Sequence, residues 1–272
     1  MKKIHAVFIS PTGNTSDVAC RIGKSIASRT GAVFEAFDFT LPAARNDAFE
    51  FTDRELVVFG VPVYAGRIPE EFIQFIQKLF KGNGTPVIPV VTFGNRGYDS
   101  ALAELSDILE DLGFCTIAAA AVCCSHAYAG IGKGRPNKND VNEIKDFAAK
   151  IASLILDENA AFPEKPYPPA GFEIQPASIP LKEDGSPAEF SKAKPETDSY
   201  KCSHCAICAD LCPMGSISYD EPSRITGVCI KCQACVKYCP QGAKRFTDRS
   251  FLSHKAALER DYSKPAKNEF FI

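Results

Sequence analysis

Twelve cysteines stand in this chain of 272 residues, and eight of them fall in the 38 residues from Cys202 to Cys239. Two tracts carry them: Cys202, Cys205, Cys208, Cys212 and Pro213, then Cys229, Cys232, Cys235, Cys239 and Pro240. Each reads Cys-x2-Cys-x2-Cys-x3-Cys-Pro, and they align at an offset of 27 with Gly215 over Gly242. Residues 202–219 and 229–246 are thus a duplicated half, not a solenoid. Such a density of soft thiolate ligands is metal chemistry. Zinc takes four ligands in two pairs and gives no reason for a third cysteine at the same spacing. A pair of zinc knuckles is nevertheless the alternative. In the iron–sulfur reading, the fourth cysteine of each half ligates the cluster of the other half. The expected sets are Cys202, Cys205, Cys208 with Cys239, and Cys229, Cys232, Cys235 with Cys212. This exchange ties together two halves that are each too small for a core. His204 lies inside the first loop, where a solvent-facing side chain is expected before a ligand. Cys20, Cys115, Cys123 and Cys124 fit no ligand spacing and read as buried structural thiols.

A second tract with chemistry is Ser10-Pro11-Thr12-Gly13-Asn14-Thr15. It is neither a dinucleotide Gly-x-Gly-x-x-Gly nor a Walker loop. It offers hydroxyls, an amide and backbone N–H groups where a strand hands over to a helix, which suits a terminal phosphate. With no Lys or Arg in the loop, neutral donors and the helix dipole would hold the anion. By composition alone an ordinary capped turn fits equally well. Two more polar loops follow apolar runs: Pro62-Val63-Tyr64-Ala65-Gly66-Arg67-Ile68-Pro69 and Phe93-Gly94-Asn95-Arg96-Gly97-Tyr98.

These tracts need elements to hold them. Apolar runs at 3–9, 32–38, 55–61, 86–93 and 115–123 read as strands, with Pro89 an objection inside the fourth. Helical periodicity fills 69–80 and 98–112. A capping-box spacing at Asp140 and Glu143 opens another helix through Ile155. Alternation predicts an α/β doubly wound parallel sheet of five strands in the order 2-1-3-4-5 over residues 1–156. Residues 157–200 hold eight of the 19 prolines and read as an extended linker. Residues 201–246 form the small cysteine-rich α+β unit, and 247–272 an amphipathic tail.

The loop Ser10–Thr15 resembles the flavodoxin signature Ser/Thr-x-Thr-Gly-Asn-Thr, and 201–246 resembles a bacterial-type ferredoxin with two [4Fe-4S] clusters. The whole chain resembles the fused flavodoxin–ferredoxin family. Gly134-Arg135-Pro136 with Asp140 adds to the likeness. The resemblance implies FMN, its phosphate on Ser10, Thr12, Gly13, Asn14 and Thr15. It implies ring contacts from Pro62, Val63, Tyr64, Ala65, Gly66, Phe93, Gly94, Asn95, Arg96 and Tyr98. Tyr64 and Tyr98 are expected to stack on the ring, surface packing being the other reading. His126, after the fifth strand, is either a hydrogen-bonding loop residue or a flavin contact. Flavodoxins surround the ring with acids, whereas these loops carry Arg67 and Arg96, with Asp99 nearby. Free cations there favour the reduced, anionic flavin and raise its potential.

The expected function is electron transfer between two clusters and FMN, with a ferredoxin or an oxidoreductase as redox partner. Reduction of a small acceptor such as a quinone, and redox sensing, are the alternatives. No catalytic residue is identified beyond His126. A net charge of −2, from 31 basic and 33 acidic residues, argues against nucleic acid. No apolar run approaches a membrane span, and no export signal opens the chain, so a cytoplasmic protein is expected.

Overall fold

Strands buried on both faces must be apolar throughout, and the runs at 3–9, 55–61, 86–93 and 115–123 lie inside the sheet while 32–38, half-polar, forms its edge. The computed structural model describes residues 1–272 except 158, 160, 161, 163 and 164, so Pro163 of the linker lies outside the described residues. The chain runs β1 (Lys3–Phe8), α1 (Asn14–Thr30), β2 (Val33–Asp38), β3 (Phe49–Thr52), β4 (Glu55–Pro62), α2 (Glu70–Leu79), β5 (Phe80–Asn83) and β6 (Thr85–Phe93). It continues through α3 (Ala101–Asp111), β7 (Phe114–Thr116), β8 (Ala119–Cys123) and α4 (Lys138–Leu156). Then come β9 (Glu196–Thr197), α5 (Ile207–Asp210), α6 (Ala234–Lys237), β10 (Lys244–Arg245), α7 (Arg249–Asp261) and β11 (Glu269–Phe271).

The parallel sheet has the order β2-β1-β4-β6, followed by β7 and β8 side by side along β6. This is the doubly wound, flavodoxin-like order. The expected fifth strand is two pieces, β7 against Thr85–Val87 and β8 against Val90–Phe93. Ile88 and Pro89 face the gap, so the N–H that Pro89 lacks removes no rung on that side. Phe72, Ile76, Leu102, Leu105 and Leu109 of α2 and α3 pack one face; Val18, Ile22, Ile26, Ile144, Phe147 and Ile151 of α1 and α4 pack the other. The capping box of α4 sits one turn earlier than expected, on Asn137 and Asp140. β3 and β5 form a separate small parallel pair that no periodicity announced.

In the amphipathic tail, α7 leads to β11, which pairs antiparallel with β8 through Glu269↔Ala121 and Phe271↔Ala119. It is anchored there. Asn95 Nδ2 donates to the carbonyls of Tyr262 and Lys264 at 2.7 and 2.9 Å, and Asn95 Oδ1 accepts from Ala266 N at 2.9 Å. Arg135 reaches Asp140, Asn268 and the Ala266 carbonyl. Glu196–Thr197, at the end of the proline-rich stretch, pairs antiparallel with Lys244–Arg245 of the cysteine-rich segment.

The duplication is conformational as well as sequential. α5 and α6 fall at the same offset of 27, and so do left-handed residues flanking the middle cysteines: His204 with Lys231 (φ 54° and 59°) and Ala206 with Gln233 (φ 58° and 69°). Among the described residues, no helix is long and apolar enough to cross a membrane.

Candidate functional site

The loops after β1, β4, β6 and β8 all leave the carboxyl edge of the sheet, where open α/β folds bind ligands. They line one cavity of about 440 Å³. Pro11, Thr12, Asn14 and Thr15 line it from the α1 end, Pro62, Val63, Tyr64 and Ala65 from β4, and Phe93, Gly94 and Arg96 from β6. His126 lines it from β8. The α1 loop is fixed internally. Ser10 Oγ accepts from Ser16 N at 3.0 Å, Asn14 Nδ2 donates to the Ser125 carbonyl at 2.9 Å, and the Thr15 and Thr92 hydroxyls meet at 2.7 Å. Gly13, the α1 N-cap, is left-handed (φ 88°), with no side-chain cap. Ser10 and Gly13 therefore shape the loop without lining the cavity. Of the first-turn N–H groups of α1, that of Ser16 is taken by Ser10 Oγ, while those of Asn14 and Thr15 have no partner within the helix and face the place where an anion would sit.

His126 Nδ1 accepts from the N–H groups of Tyr128 (3.3 Å) and Ala129 (3.1 Å), so its proton sits on Nε2. Burial first, then the charges of His254 and Arg96, push His126 from its ordinary 6.5 down to about 4. It is a neutral donor. Only glycine fits opposite it, since a Cβ on Gly94 would lie 2.4 Å from the His126 ring. His254 of α7 has the other tautomer: Nδ1–H donates to the Leu181 carbonyl at 2.8 Å, leaving Nε2 bare.

Several expected ring contacts are elsewhere. Tyr98 donates to Glu269 of β11 at 2.8 Å and leans on Phe93, so it does not line the cavity. Arg67 is turned away in a bidentate pair with Glu104, 2.9 and 2.5 Å, and it also donates to the Gln175 carbonyl. Gly66 sits in a tight turn, where its Cα hydrogen faces Asp99; a Cβ would meet the carboxylate at 2.1 Å. Asn95 is buried and holds the tail. Arg96 does line the cavity, but its charge is matched by Asp99 at 2.9 Å, with Ser178 Oγ beside both. Neither arginine is the free cation that a raised flavin potential requires. Of the cysteines outside the motifs, Cys123 and Cys124 are buried, Cys20 is half-buried, and Cys115 is exposed on the short β7, against expectation.

Sequence reasoning missed the outer wall. Ser178, Ile179, Pro180, Leu181 and Phe190 of the linker, and Phe251, His254, Leu258 and Tyr262 of α7 and its end, cover the cavity. The two stretches carrying them lack periodicity or length, so no sequence signal pointed at the sheet edge.

The eight motif cysteines are divided between two smaller cavities. One is lined by Cys212, Cys229, Cys232 and Cys235, the other by Cys202, Cys205, Cys208 and Cys239. Each set takes its fourth thiol from the other half. Ser216 N donates to Cys212 Sγ at 3.4 Å and Ala243 N to Cys239 Sγ at 3.2 Å, again 27 residues apart. Burial pushes the Cys232 and Cys235 thiols up to about 12. Burial also acts on Cys239, but backbone N–H groups of Ala243, Gln241, Lys244 and Gly242 outweigh it and hold this thiol low. Among the described residues, no three His, Cys, Asp or Glu side chains are gathered to hold a single metal ion. The four cysteines of each set line a small space between them. Ile230 and Lys231 line both the large cavity and the Cys212 cavity, and so form a shared wall. Lys237 Nζ and Tyr238 OH close the seam, donating to the Thr12 carbonyl at 2.7 and 2.9 Å.

Residues 222–245 match the 4Fe-4S binding domain family. The chain joins a flavodoxin-like sheet to a 4Fe-4S binding domain. The 4Fe-4S match beside that sheet order supports an electron-transfer redox role. An uncharacterized protein of Methanocaldococcus jannaschii is 29% identical over 143 residues, covering 48% of this chain and 87% of its own. A flavodoxin from the domain Archaea is similar with a TM-score of 0.39 and 17% identity, over 56% of this chain and 96% of that one. The apo form of an NADH:FMN oxidoreductase is similar with a TM-score of 0.41 and 15% identity, over 62% and 97%. The fold assignment rests on the strand order, not on these scores.

Proposed function

We propose that the chain is an internal electron relay in which two [4Fe-4S] clusters exchange electrons with FMN. The single observation that carries this reading is the shared wall: Ile230 and Lys231, between the ligands Cys229 and Cys232, also line the large cavity. The inner cluster would rest on Cys212, Cys229, Cys232 and Cys235, and the outer on Cys202, Cys205, Cys208 and Cys239. Cys205 is exposed, which gives the outer site an edge toward an external partner.

The large cavity fits FMN by its donor set. Thr12, Asn14, Thr15 and the α1 N-terminus would take the phosphate, with Ser10 and Gly13 holding the loop. Pro62, Val63, Tyr64, Ala65, Phe93, Gly94 and Arg96 would border the ring, and His126 would offer its Nε2–H as a neutral donor. Tyr64 is half-buried, lines the large cavity and feels the charges of Cys232 and Cys229, so it would stand on the cluster side of the ring. When bound, FMN supplies a centre that takes one or two electrons, while each cluster takes one. The chain's own contribution is to hold these groups, to cover them with α7 and the linker, and to keep His126 neutral.

Protein prepared anaerobically is expected to hold about eight irons, about eight sulfides and one FMN, as two four-iron clusters require. Riboflavin should bind more weakly than FMN. Saturation with two zinc ions and no sulfide, or loading without flavin, contradicts the reading.

A further inference from the structure

Three formally charged side chains line the large cavity: Arg96, Asp261 and Lys231. Arg96 is matched by Asp99 at 2.9 Å, and Asp261 by Arg260 at 2.6 Å. Lys231 is different. Its Nζ donates to the carbonyls of Ser191 at 2.8 Å and Cys229 at 3.2 Å, and among the described residues it has no carboxylate partner. Lys231 is also the one charged residue lining the Cys212 cavity. Its backbone is left-handed (φ 59°), and this turns the residue between Cys229 and Cys232 into the wall. Lys194, whose charge also reaches Cys229, donates to Ile225 and Gly227 carbonyls and lines neither cavity. Lys244 is buried and lines the outer cavity, and its charge also reaches Cys235 of the inner set, but it does not line the large cavity.

An unmatched cation in a half-buried wall stabilises whichever neighbour carries more negative charge, the effect being moderated where solvent reaches the ammonium. Reduction adds an electron to the group on either side. The same ammonium therefore favours the reduced form of both, and raises the two potentials together. We propose that Lys231 is a positioning residue that sets the flavin and inner-cluster potentials in common, so that one charge keeps donor and acceptor matched. This rests on the relay reading. It also replaces the role that the sequence suggests for Arg67 and Arg96.

The test is an anaerobic titration of the full chain, loaded with clusters and FMN, followed optically for the flavin and by EPR for the clusters. The inner-cluster signal is the one missing in Cys212→Ala. In Lys231→Gln, the oxidised-to-reduced ratio at fixed poise is expected to rise at least about threefold for both flavin and inner cluster, a modest Coulomb effect at short range. The outer cluster should stay in place, and high salt should shrink the shift. Lys231→Arg should restore parent values, and Lys231→Met should repeat the Gln result if that variant loads poorly. Loaded Lys231→Gln with either potential unmoved overturns the proposal. Equal shifts in the Gln and Arg variants also overturn it, because the bonds to Ser191 and Cys229 would then matter and not the charge. A parent chain that takes up no flavin or no clusters overturns the relay reading instead.

Discussion

At the scale of single residues, what decides each role is the partner a side chain finds. Arg67 has Glu104, a carboxylate only 8% exposed, and Ile68 N donates to the same group at 2.9 Å. Arg67→Gln leaves that carboxylate buried and unmatched. We expect a loss of about 2–4 kcal/mol in denaturant unfolding, the cost of breaking such a pair, with no change in flavin potential. Arg67→Gln,Glu104→Gln should recover much of the loss. His126 gives a pH signature. It titrates near 4 folded and near 6.5 unfolded, so between these values the unfolded chain binds more protons. Stability should fall as pH drops through that window, by on the order of 1–3 kcal/mol at the usual worth of a pKa unit. Thermal midpoints from pH 7 to 5 should therefore fall more in the parent than in His126→Gln; parallel profiles would show that the histidine is not held neutral. The cysteines were legible because spacing alone specifies them. Tyr98 and Arg67 were not, because Glu269 lies 171 residues away and Glu104 sits 37 residues on, within an apolar helix face.

At the scale of elements, the alternation of β1 to α4 was readable because the inner strands β1, β4, β6 and β8 are continuous apolar runs and each helix has one apolar face. The break in the fifth strand was not, although Pro89 marked it from the neighbouring strand. α7 and β11 were legible only as an amphipathic tail: the Asp248 cap and apolar residues of α7 belong to its own pattern, but the docking on Asn95, Arg135 and the free edge of β8 does not. The cysteine halves give the element-scale prediction. Since Cys212 lines the cavity of Cys229, Cys232 and Cys235, Cys212→Ala should lose the cluster of the second half and retain the one on Cys202, Cys205 and Cys208. EPR of reduced protein distinguishes the two. Loss confined to the cluster of its sequence neighbours would mean that the halves fold without exchange.

At the scale of the whole molecule, the chain surrounds its large cavity with parts from every region. The sheet loops supply the floor, the linker and α7 the cover, and the Cys229–Cys232 loop one wall. A flavin so enclosed has little direct access to a bulky redox protein, whereas the outer thiols include an exposed one. Electrons from such a protein should therefore pass outer cluster, inner cluster and flavin in turn. The direct measurement is rapid anaerobic mixing with a reduced external ferredoxin, following flavin absorbance in parent and in Cys212→Ala at equal FMN content. The relay predicts fast bleaching in the parent and bleaching slowed at least about tenfold when the inner cluster is gone, since each lost step must be bypassed through the cover. Equal rates in the two proteins would show that the flavin is reduced from outside, and would contradict the relay.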